Sequence, residues 1–174
     1  MNNDYKKDCD SIFSCAKTFA SKIQNELNIP SMLIFYEELM FTYFLKDIRL
    51  VELEKPESYR TLVLTLIKKL LESCFENNEK YIQDIFISRI ETYAKCLEKA
   101  DYDPLSTKFF YKAFEYQNEL ISYIKINNKF STYNLFPESP MEYTKKTANS
   151  FSSVSKISDL LINNVDILID FYNN

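Results

Sequence analysis

The chain contains only three arginines, and two of them, Arg60 and Arg89, fall on the apolar side of their predicted helices. Two acids do the same. A helical wheel turns about 100° per residue; on it Glu37 lies among Leu33, Met40, Phe41 and Phe44, and Asp47 among Met40, Tyr43, Phe44, Leu50 and Val51. A buried carboxylate without a partner costs several kcal/mol, on the order of what breaks a buried ion pair. Guanidinium is the cation best suited to share its burial, being weakly hydrated and shaped as a planar fork. The spacing therefore predicts a core network in which Glu37 and Asp47 pair with Arg60 and Arg89, with Gln117 on the apolar face of the fifth helix as a further member. The remaining polar flank of the second helix, Glu38, Thr42, Lys46 and Arg49, reads as its solvent side.

The two acids do not read as a catalytic couple. Ten residues of helix separate their Cα atoms by about 15 Å, whereas the carboxylates of glycosidases stand roughly 5 to 9.5 Å apart. With no His in the chain, Ser-His-Asp and Cys-His catalysis and His-metal sites are excluded. With no Gly, a Walker-type loop and a Rossmann fingerprint are excluded as well. Glu76-x-x-Glu79 lacks a second acidic half for magnesium. No catalytic residue, metal or cofactor is expected.

Apolar residues recur at helical spacing almost throughout, and no stretch alternates with the period of a strand. Helices are expected at about 4–28, 31–52, 56–76, 79–100, 104–127, 140–150 and 154–172, with 128–139 a loop. Pro30, Asn77-Asn78 and Asp101-Tyr102-Asp103-Pro104 supply the breaks; Pro56 and Pro104 suit first helical turns. These elements amount to a single all-α domain, a bundle of six or seven helices without β-sheet. The 14 Phe and 13 Tyr read mainly as its core.

A net charge of −4 argues against a nucleic-acid partner, and no apolar run approaches the roughly 20 residues that cross a bilayer. Cys9, Cys15, Cys74 and Cys96 form no CxxC pair, so reduced thiols in the cytoplasm are expected. Cys15 lies off its helix's stripe and is the thiol most expected to react. Tyr111 and Tyr123 lie off the stripe of the fifth helix, and Asp159, Asp166 and Asp170 share the polar face of the last. Together these features point to a non-enzymatic protein that docks a protein partner, of inhibitor, immunity or accessory-subunit type. The alternative is a pocket for a small anionic ligand, or an atypical enzyme, lined by Glu37, Arg60 and Arg89; a third reading is a homo-oligomer with the Phe-rich fifth helix as its seam.

Overall fold

The computed structural model describes residues 4–27, 31–74, 79–127 and 159–174. Its helices are α1 (Asp4–Leu27), α2 (Ser31–Glu52), α3 (Glu57–Cys74), α4 (Glu79–Glu98), α5 (Thr107–Asn127) and α6 (Val165–Asn173), and no strand occurs among the described residues. The protein is an all-α bundle. No helix among the described residues is long and apolar enough to cross a membrane. The helix expected at 140–150 and the loop at 128–139 lie outside the described residues.

The core is organised around α2. This helix packs against α1, α3, α4 and α6, while the rings of Phe41 and Phe44 meet those of α5. Phe41 lies 6.0 Å from both Phe109 and Phe114 and 4.7 Å from Tyr93 of α4. With neighbours on every side, α2 buries all residues from 36 to 46, including Glu38, Thr42 and Lys46. That overturns the reading of Glu38, Thr42 and Lys46 as a wet flank. A wheel orders residues around a helix but does not say how many sides are covered, and a central helix is covered on all of them. The Thr42 hydroxyl donates to the Glu38 carbonyl at 2.7 Å, so it needs no water.

A chain without glycine must end its helices with other residues. After α2, the Lys55 N–H donates to the Leu50 carbonyl and the Glu54 N–H to the Val51 carbonyl, both at 2.9 Å. This is the paired closure of a Schellman motif, with Glu54 in the left-handed position at φ 54°. After α4 the same pair recurs, Tyr102 N–H to Leu97 and Asp101 N–H to Glu98, with Asp101 at φ 58° and Tyr102 at φ 62°. The next helix starts at Thr107 rather than at Pro104. Ser106 is its cap, accepting the Phe109 N–H on its hydroxyl at 3.1 Å, while Asp103 accepts the Leu105 N–H in a tight turn.

The last expected helix is interrupted at 163–164. The Asn164 side chain donates to the Leu160 carbonyl at 2.9 Å, satisfying a group that a continuing backbone would have used. Helical structure resumes at Val165. Lys46 and Arg49 of α2 then lie over the rings of Phe171 and Tyr172, 5.6 and 5.8 Å from their centres, holding α6 in place.

Candidate functional site

Glu37 enters the centre of the bundle from α2 and meets α4. Arg89 donates through Nε to Glu37 Oε2 at 2.9 Å, and the Tyr93 hydroxyl donates to Oε1. Arg89 and Tyr93 are one turn apart, so a single face of α4 supplies both donors. Gln117 of α5 donates through Nε2 to the Tyr93 hydroxyl at 3.1 Å. Arg89 is fully buried, with its guanidinium 5.6 Å from the Tyr116 ring centre. Glu38, beside Glu37, is 1% exposed. Burial, then the neighbouring Glu37 charge, push its carboxyl well above the usual carboxylate range, with the Gln117 amide opposing. Burial and Glu37 likewise raise the Tyr93 phenol. These groups form a tightly packed polar cluster within an aromatic shell.

Asp47 and Arg60 meet elsewhere. Arg60 Nε and Nη2 donate to the two oxygens of Asp47 at 2.8 and 2.7 Å, a fork-on-carboxylate pair that raises the Arg60 pKa. It is about one-third open to solvent and borders a recess of about 320 Å³ lined by Tyr43, Asp47, Glu57, Arg60, Thr61 and Leu64. Neither Glu37 nor Arg89 lines that recess: Arg60 lies with Asp47, and Arg89 with Glu37. Ten residues along α2 place the two acids against different neighbours.

A further polar group was missed in the sequence. Lys46, nearly sealed, reaches Asp8 of α1 at 3.1 Å, and Tyr59 of α3 donates its hydroxyl to the same carboxylate. The sequence placed Lys46 on the solvent side of α2 and gave no signal of its partner, 38 residues away on another helix. One thiol reading also changes. Cys15 is buried and its pKa is pushed up to about 12, by burial and then by the Glu38 charge, so it is not a reactive thiol. Burial also raises Cys9 and Cys96, each to about 11.

On the outside, Tyr111 is 49% exposed and Asp159, Asp166 and Asp170 face solvent; the side chain of Tyr123 lies outside the described set. Phe109, Phe110 and Phe114 are buried against Phe41, so the Phe-rich face of α5 is spent inside the bundle and is not available as an intermolecular seam. Leu62 and Leu66 of α3 are exposed at 47% and 37%. Val63, Ile67 and Leu71 carry the burial of that helix. Among the described residues no cluster of His, Cys, Asp or Glu could hold a metal ion. No protein family, curated protein or solved structure is matched by the chain.

Proposed function

We propose that this chain is a non-enzymatic helical module that acts by docking a protein partner, of the inhibitor, immunity or accessory-subunit kind. The observation that carries the reading is the contrast between its inside and its outside. Inside, Glu37, Arg89, Tyr93 and Gln117 are buried and hydrogen-bonded to one another. Outside, large apolar side chains remain uncovered, with Leu62 and Leu66 one turn apart on α3 and Tyr111 on α5. Adjacent exposed leucines are what a docking face supplies, and an amphipathic partner helix or strand gains most by covering them. The acidic balance and the Asp159, Asp166 and Asp170 face favour a partner with a basic rim.

The test compares the wild-type chain with Leu62→Ser/Leu66→Ser and with Tyr111→Ser, each used as bait in its native host and then in light scattering with any captured protein. A stoichiometric partner held by wild type and lost by one surface variant of unchanged melting temperature supports the reading. Equal capture by all three baits overturns this choice of surface. A second reading, a small-anion site, rests on the recess beside Arg60. Thermal stabilisation by inorganic phosphate that disappears in Arg60→Ala would favour it over docking.

A further inference from the structure

Two carboxylates enter the core on adjacent residues, and a guanidinium meets the first of them. Arg89 and Tyr93 both donate to Glu37. Glu38 lies against the Gln117 amide, and no ion pair among the described residues reaches it. Its Oε2 has no hydrogen-bond partner, and neither has the Gln117 amide oxygen. Of the donors nearby, one N–H of the Gln117 amide goes to Tyr93, and the Tyr93 hydroxyl donates to Glu37. The cluster thus holds two buried acceptor oxygens that no donor reaches. Ionised and acceptor-only, Glu38 would be a second buried anion beside Glu37.

We propose that Glu38 is a neutral carboxylic acid in the native fold, donating its O–H to the Gln117 amide oxygen, and that loss of this proton to solvent base loosens the α2–α4–α5 core. One added hydrogen satisfies both orphaned oxygens. It also completes a chain of one sense, from Glu38 to Gln117, to Tyr93, to Glu37, where the Arg89 guanidinium balances the single ionised carboxylate. The groups facing Glu38 are Cys15 from α1, Glu37 from α2, Tyr93 from α4 and Gln117 from α5. None of these is a cation; the Arg89 Nε–H donates to Glu37 instead.

The proton is bound more tightly in the fold than in the unfolded chain, where a glutamate releases it near 4.5. Its contribution to stability is therefore complete below that pH and is lost as pH rises through the raised native value. Glu38→Gln keeps shape and hydrogen-bonding capacity but cannot ionise. Infrared spectra and melts of the full chain and of Glu38→Gln across pH test the proposal. Wild type at about pH 7 is expected to show the carbonyl stretch of a protonated carboxylic acid, absent from the variant. The ratio of the variant's folding equilibrium constant to the wild type's is expected to rise about tenfold per pH unit above the unfolded pKa. No such band together with parallel melts overturns the proposal. Should Glu38→Gln fail to fold, wild type labelled with ¹³C at glutamate side chains decides: one carboxyl still protonated at about pH 7 supports it, and all glutamates titrating together near their ordinary pKa overturns it.

Discussion

Arg60 and Arg89 look alike in sequence, each an arginine on an apolar helix face, yet their energetics differ because their solvation differs. Arg89 and Glu37 are sealed, so removing the cation leaves an anion in the core, at a cost of about 3 to 5 kcal/mol. Arg60 and Asp47 remain partly wet, and water screens what their good geometry gains; losing that pair costs about 1 kcal/mol or less. Urea unfolding should therefore rank Arg89→Met far below Arg60→Met. Equal losses would mean that both pairs lie in similar surroundings. The candidate residues were legible to this depth because polarity on an apolar stripe is visible on a wheel. What could not be read was Glu38, whose burial depends on how many helices surround α2, and Lys46, whose partner Asp8 is remote in sequence.

At the scale of elements, helix existence was legible and helix ends were less so. Periodicity located α2 from Ser31 to Glu52, whereas α5 begins three residues later than Pro104 suggested, because Ser106 rather than Asp103 supplies its cap. The break at 163–164 was hidden too: its apolar positions keep helical phase across an asparagine pair whose side chain replaces a backbone bond. The left-handed ends carry a cost that is open to measurement. A residue with a Cβ loses about 1 to 2 kcal/mol in that conformation, and glycine returns part of the difference to unfolded-chain entropy. Glu54→Gly should therefore stabilise the protein by roughly 0.5 to 1 kcal/mol, read as a higher denaturation midpoint at unchanged slope. A loss of stability would show that the Glu54 side chain does more than tolerate its backbone.

Across the whole molecule, the same enclosure that hides the polar groups of α2 should make it the slowest part to open. Its backbone amides from 36 to 46 sit behind side chains from α1, α3, α4, α5 and α6, so their hydrogen exchange should require global unfolding, while α6 and the 100–106 turn exchange by local opening. Exchange of α2 as fast as that of α6 would contradict its central place. The double grip on Glu37 has a further consequence. Arg89 and Tyr93 sit one turn apart and each takes one oxygen of the same carboxylate, so the carboxylate serves as an index mark against which α4 is aligned. Aromatic rings are forgiving partners, and a sheath of Phe and Tyr could accept α4 displaced by a turn at little cost. The index mark could not: displacement sets a phenol where the guanidinium belonged and strands the charge. A core that replaced Glu37 and Arg89 with leucines could equal this one in stability, but it would have lost its means of detecting a misthreaded helix.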